Sequence, residues 1–197
     1  FTAAGTVDGL GAGGTNASAL QVQLDTGSAG VFSDTAMLAF TSQNPELADL
    51  LQGGAGIALH AQVNHLAQVA LAQAGGSGNL AGGGTTYTLN FGNVAQGAGS
   101  FSAALGVGNA AVGTADALAG LWDLSGVQAG DAFTLSGFDS FAGLGAGGTL
   151  GGLTVSFDSG LVGSFDSVVV LHGLSTNGSV PDLALADLTL HLQGTVV

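Results

Sequence analysis

The sequence predicts an all-β protein made of tandem antiparallel immunoglobulin-like β-sandwich units, the first of them incomplete. Three observations carry this. Short runs of alternating apolar and polar residues recur along the chain, the period of half-buried strands. Glycine is 37 of 197 residues and proline only 2, with no collagen-like period of three, which fits many short strands and many turns. The third observation is an internal repeat, which is read before any motif because it changes what each motif means.

GLGAGGT occurs at Gly9–Thr15 and again at Gly143–Thr149, an offset of 134 residues. The offset is 133 at Asp25/Asp158, Phe32/Phe165 and Asn44/Asn177, and the histidines His60 and His191 align at 131. Phe1-Thr2 aligns with Phe133-Thr134. The second copy has a lead-in from about Tyr87 to Ala132 with no counterpart in the first, so the 197 residues hold about one and a half copies of one unit.

Composition excludes several classes of function. There is no Lys or Arg against 13 acidic residues, a formal charge of −13. Nucleic acid and anionic membrane surfaces need cationic side chains, so neither is an expected partner. Cation binding is permitted. Cysteine is absent, which removes disulfides and thiolate chemistry. No apolar run reaches the length of a membrane-spanning helix, and no membrane insertion is expected. With only 7% charged residues, the exposed positions are largely Ser, Thr, Asn, Gln and Gly. Such faces oppose self-contact weakly, and neutral strand edges invite pairing between chains.

Taken in order, Phe1–Gly5 reads as the end of a strand and Asp8–Thr15 as a Gly-rich turn. Leu20, Val22 and Leu24 alternate with glutamines. Asp25–Gly30 is a turn, and Val31–Thr41 is the returning strand. Pro45–Leu51 reads as a helical turn or two inside a long connection, with Pro suited to a first helical position. Ile57, Leu59, Ala61 and Val63 begin a strand whose pattern extends toward Leu71. These elements place an incomplete sandwich unit at residues 1–73. Residues 74–84, AGGSGNLAGGG, read as a Gly/Ser linker. A complete unit follows at 85–197. Its strands fall at Tyr87–Phe91, Phe101–Val107, Leu118–Leu124, Phe133–Ser136, Leu153–Phe157, Phe165–Leu174 and Leu183–Val197. Leu153–Phe157 and Phe165–Leu174 read as a hairpin repeated from the first copy. Seven strands at this spacing suggest an immunoglobulin-like sandwich.

TYTLNFGNVAQGAGSFSAALGVGN, LWDLSG, FTLSGFDSFAGLGAGGT and VSFDSG…GSFDSVVVL resemble the choice-of-anchor D repeats of bacterial exported surface proteins, which often precede PEP-CTERM sorting tails. The resemblance spans nearly all of 57–197 and, through the repeat, most of 1–63. It implies an immunoglobulin-like fold and an extracellular or cell-surface setting in bacteria. It carries no catalytic residues to transfer.

Leu24-Asp25-Thr26-Gly27-Ser28, echoed by Phe157-Asp158-Ser159-Gly160, has the form of the aspartic-protease signature, in which two carboxylates share a proton. Both copies extend to Asp-Thr/Ser-Gly-x-x-Gly-x-Phe between alternating strands. A turn in which Asp bonds its own backbone explains that better. Calcium candidates are Asp25, Asp158 and Asp139, where turn carboxylates and carbonyls meet. His60 and His65 are five residues apart, on opposite faces of a strand, a poor metal pair. GLGAGGT has neither the Lys of a phosphate-binding loop nor a following helix. No catalytic or cofactor-binding residues are assigned, and no cofactor other than calcium is expected.

The expectation is a non-enzymatic extracellular structural protein, a self-assembling subunit of a bacterial surface filament or matrix fibre, joined by donor-strand exchange. Its partner is then itself. An adhesin or glycan-binding module is the alternative, with polysaccharide as partner and Trp122 and Tyr87 as stacking platforms. A protease-like hydrolase is the remote third.

Overall fold

The computed structural model describes residues 1–128 and 130–197. It is all-β, with no helix among the described residues, and none therefore long and apolar enough to cross a membrane. The chain divides into two compact units, Phe1–Asn64 and His65–Val197.

The first unit holds β1 (Thr2–Ala4), β2 (Gln21–Gln23), β3 (Gly30–Asn44) and β4 (Leu47–Val63). β1 pairs antiparallel with β2, and β3 pairs antiparallel with β4. These are two separate two-stranded ribbons.

The second unit holds β5 (Val69–Gly76), β6 (Asn79–Gly83), β7 (Thr86–Val94), β8 (Ser100–Asn109), β9 (Ala117–Gly126), β10 (Phe133–Ser136), β11 (Phe141–Leu144), β12 (Thr149–Asp158), β13 (Gly163–Thr176), β14 (Leu183–Ala184) and β15 (Leu188–Val196). One sheet runs β10-β12-β8-β5. The other runs β11-β9-β13-β15-β7-β6, with β14 beside β13. Most neighbours are antiparallel, while β15 and β7 run parallel. Alternation decides the faces: Leu188, Leu190 and Leu192 of β15 are at most 1% exposed, and the residues between them are not buried. The core forms where the two sheets face each other. Phe157 of β12 stacks on Phe91 of β7 at 5.4 Å and meets Phe165 of β13 edge-on at 5.9 Å. Trp122 of β9 packs edge-on against Phe138 at 5.0 Å.

The repeat is written into the hydrogen-bond register. Gly30 faces Val63, and Gly163 faces Val196. Thr2 faces Gln23, and Thr134 faces Ser156. β1, β2, β3 and β4 are therefore the counterparts of β10, β12, β13 and β15, with the offset at 133 from Gln21/Thr154 to Val63/Val196. This corrects the alignment of the histidines. His60 faces Ser33 while His191 faces Val168, so His191 stands where the first unit has Ala58.

Four other expectations change. The supposed hairpin of Leu153–Phe157 with Phe165–Leu174 is an arch: β12 and β13 lie in different sheets and do not pair. Both flanks alternate, and alternation cannot say which sheet a strand joins. Residues 74–84 are not a linker: they hold the end of β5, the whole of β6 and the turns that flank β6. Glycines there allow close strand approach: a Cβ on Gly76 would lie 2.2 Å from the Ser102 carbonyl. The pattern from Ile57 toward Leu71 breaks after Val63, and the division falls between Asn64 and His65 rather than at 73/74. Pro45-Glu46 is the turn between β3 and β4, with no helix there, because Asn44 accepts the Glu46 amide at 3.0 Å.

Candidate functional site

The feature that sets this chain apart is what the first unit leaves open. In the second unit β12 has β10 on one side and β8 on the other. β13 lies between β9 and β15, and β15 lies between β13 and β7. The counterparts β2, β3 and β4 each have a single partner. Nothing in the first unit corresponds to β7, β8 or β9.

The side chains record the same gap. Leu153, Val155 and Leu190 are 1%, 0% and 0% exposed in the second unit. Their counterparts Leu20, Val22 and Ile57 are 46%, 49% and 46% exposed, and Phe40, at an inward position, is 49% exposed. Full burial of one such side chain is worth roughly 1.5–3 kcal/mol, so covering this face stabilises the unit by several kcal/mol. A lone two-stranded ribbon is marginal in water for want of that cover.

One pair of core positions in the second unit has size-compensated counterparts in the first. Gly194 of β15 faces Phe157 so closely that a Cβ would lie 2.5 Å from the ring. The first unit has Leu24 in place of Phe157 and Ala61 in place of Gly194. A smaller side chain on one strand is offset by a larger one on the other, which is the pattern of two faces shaped to pack together.

The sequence-designated residues fall as follows. Asp25 and Asp158 lie in different units. The Gly27 amide donates to Asp25 Oδ1 at 2.9 Å, and the Gly160 amide donates to Asp158 Oδ1 at 3.1 Å. Each carboxylate thus closes its own arch turn, as expected for Asp in such turns. Asp139 is exposed in the loop between β10 and β11. No group of three or more His, Cys, Asp or Glu able to hold a metal occurs among the described residues. His60 is exposed on β4, and His65 forms a bridge with Ala115 in the second unit. Trp122 and Tyr87 are 7% and 8% exposed and belong to the core. As stacking platforms for sugars they are out of reach.

Two arrangements were not anticipated. Asn109, 1% exposed, accepts from the amides of Gln68 and Ala111 at 3.0 and 3.2 Å. It donates to the carbonyls of Asp116 and Leu144 at 3.0 and 3.1 Å. Beside it, Ser175 Oγ and Asn177 Nδ2 donate to the Asp116 carboxylate at 2.9 and 3.0 Å. A buried polar group is tolerated because its hydrogen bonds are made. The network ties the strand ends of β5, β8, β9 and β13 together. In sequence, Asn109 and Asp116 look like ordinary turn residues.

The second arrangement is on the surface. His172 Nδ1 lies 2.8 Å from Asp187 Oδ1, with both side chains about half exposed. Asp123 lies near the same histidine. The Ser125 amide, then its hydroxyl, hold the Asp123 carboxyl below its ordinary 3.8, with a smaller contribution from His172. Exposed pairs of this kind contribute little to stability. A shallow polar depression of about 320 Å³ lies elsewhere on that sheet, lined among others by Asn90, Asp166 and Gln193. The Gln193 amide already donates to Asp166 at 2.9 Å.

No protein-family model matches this chain, and no curated protein is matched by its sequence. Among solved structures it is similar to the ASH / PapD-like domain of human CEP192 (PapD-like domain 7), with 12% identity and a TM-score of 0.43. That match covers 67% of this chain and 87% of the other.

Proposed function

We propose that this chain is a non-enzymatic structural protein of the bacterial cell exterior. In this reading it is a building block of a surface filament or matrix fibre whose immunoglobulin-like units are joined by strand pairing. The observation that carries the reading is the first unit: half of a sandwich with the register of the second, its inward face and three strand edges uncovered. Strand addition to such an edge supplies main-chain hydrogen bonds, and alternate side chains supply specificity. Head-to-tail addition does not close on itself and so extends. The absence of Lys and Arg, which leaves no site for trypsin-like proteases, suits an exposed setting. So does the resemblance to exported surface repeats.

The test is negative-stain electron microscopy of the full chain, with light scattering over a range of concentrations, beside a Val22→Asp/Ile57→Asp variant. Elongated assemblies are expected from the parent chain. The variant should lose them while the melting of the second unit is unchanged. A chelator arm addresses calcium at Asp25 or Asp158, since loss of assemblies there assigns the ion to the contact. A monodisperse particle at all concentrations, with first-unit amides already protected from exchange, would overturn the reading.

A further inference from the structure

We propose that the polar depression on β7, β13 and β15 is a binding site for one sugar unit of a neutral polysaccharide. This goes beyond the assembly reading and does not depend on it, since every residue involved belongs to the second unit.

The depression is made by an irregularity in β7. Tyr87, Leu89 and Phe91 are buried at alternate positions, and the next buried residue is Val94. Gly92 and Asn93 between them are both exposed. Gly92 has φ +70°, and the parallel register with β15 shifts there, from Asn90 opposite Gln193 to Asn93 opposite Thr195. Strict alternation would send residues three apart to opposite faces. The extra residue puts Asn90 and Asn93 on the same outer face, which is how a bulge re-aims a side chain. Asn90 Oδ1 accepts the Gly92 amide at 2.7 Å and so holds the bulge in place.

The neighbouring strands complete the lining. β15 contributes Gln193 and Thr195, and β13 contributes Ser164 and Asp166. Gln193 Nε2 donates to Asp166 Oδ2 at 2.9 Å, and the Ser164 and Thr195 hydroxyls lie 3.4 Å apart. These contacts set the side chains side by side and leave capacity unused. The second Asp166 oxygen and the Gln193 carbonyl can accept. The amide nitrogens of Asn90 and Asn93 can donate, and the hydroxyls can do either. Gly92 and Gly194 add no side chain to fill the volume of about 320 Å³, which lies at the low end for small-molecule sites.

The lining selects the class of ligand. An anion meets the Asp166 carboxylate in a chain of charge −13 with no Lys or Arg. A divalent cation finds a single carboxylate, and no metal-holding group of three occurs among the described residues. An apolar ligand finds Phe165 and otherwise glycine and polar side chains. Adjacent donors and acceptors without a cation match the hydroxyls of a neutral sugar, each of which both donates and accepts. The depression is shallow, so a ring seated in it keeps its chain neighbours in solvent.

The set is not a by-product of the repeat. At the register offset of 133, Ser164, Asp166, Gln193 and Thr195 correspond to Val31, Ser33, His60 and Gln62. The carboxylate and the Ser164 hydroxyl's position as a polar group are particular to the second unit, and Val31 is 74% exposed where Ser164 stands in the other copy.

The test is saturation-transfer difference NMR on the full chain, which suits weak ligands and large assemblies alike. The probes are the methyl glycosides of glucose, galactose, mannose and N-acetylglucosamine. At least one should receive saturation, with an affinity of about 1 mM, the yield of a few neutral hydrogen bonds at a solvated surface. Ser164→Val/Asp166→Ser installs the first unit's residues at the same register positions, and should weaken binding about tenfold with the melting of the second unit unchanged. Asn93→Ala, at an exposed position, is the second variant and should weaken binding several-fold if the first disturbs folding. Ser156→Ala, on the outer face of the other sheet, should bind as the parent does. Added salt should leave binding unchanged, because the ligand carries no charge. The trisaccharide of the same sugar should bind as well.

No saturation with any of the glycosides, equal binding by both site variants, or tighter binding of glucuronate than of the neutral sugars would overturn the inference. Exclusion of the trisaccharide would overturn the assignment to a polysaccharide. The assembly reading is tested by first-unit variants and survives any of these results.

Discussion

At the scale of single residues, the pair Gly194 and Phe157 shows how the two units solve one packing problem in two ways. A methyl group at residue 194 collides with a fully buried ring that Phe91, Phe133 and Phe165 hold from other sides. Gly194→Ala should therefore destabilise the second unit by about 2 kcal/mol, an overpacking cost. Phe157→Leu should cost a similar amount through the cavity it leaves. The double variant recreates the first unit's Leu24/Ala61 pair. Its loss should fall short of the two single losses added together by about 1 kcal/mol or more, measured by chemical denaturation as a double-mutant cycle. Strict additivity would mean that the two positions do not share a packing space.

Asp123 makes a residue-scale prediction of another kind. The Ser125 amide and hydroxyl favour its charged form, so its folded pKa lies below 3.8. For a lowered carboxylate pKa, the stabilisation is fully present above the unfolded value and disappears as pH falls through the folded one. An NMR titration should place its midpoint below 3.8, and Ser125→Ala should move it part of the way back, because the amide contact remains.

At the scale of elements, β1 and β10 end in the same way. Gly5 and Gly137 both have positive φ, and a Cβ at either would meet a backbone carbonyl: that of Ala19, just before β2, at 1.9 Å, and that of Gly152 in β12 at 2.3 Å. Gly137→Ala should lower the stability of the second unit by about 2 kcal/mol, combining an unfavourable backbone conformation with a backbone clash. Differential scanning calorimetry checks it. A shift of less than about 1 °C would show that the strand end relaxes freely.

The strands of the second unit were largely legible in the sequence, because Tyr87, Leu89 and Phe91, or Leu188, Leu190 and Leu192, alternate without interruption. Their pairing was not. Asp158-Ser159-Gly160 reads equally well as a hairpin or as an arch, and only the buried Ser159 contact with Gly99 across to the turn before β8 fixes the arch. Residues 74–84 read as a linker in sequence because glycine serves both flexible turns and close strand approach. The half-open first unit was visible as a repeat with missing strands.

At the scale of the whole molecule, charge and open edges act against each other. The chain carries −13 near neutral pH with no positive side chain except protonated histidine. Molecules with the same sign repel, and this moderates edge-to-edge contact between copies. The repulsion fades as the carboxylates protonate toward the isoelectric point of about 4.1. Exposed Leu20, Val22, Phe40 and Ile57 are unaffected by that titration. Copy–copy association should therefore be weakest near neutral pH and strongest close to pH 4. Added salt should raise it near neutral pH, where a charge is left to screen, and change it little near pH 4. Light scattering on the full chain and on the Val22→Asp/Ile57→Asp variant separates the contributions. If the open face drives association, the variant stays dispersed at neutral pH even in salt, where the parent chain does not. If both chains respond to pH and salt alike, association belongs to the general neutral surface, and the first unit does not direct it.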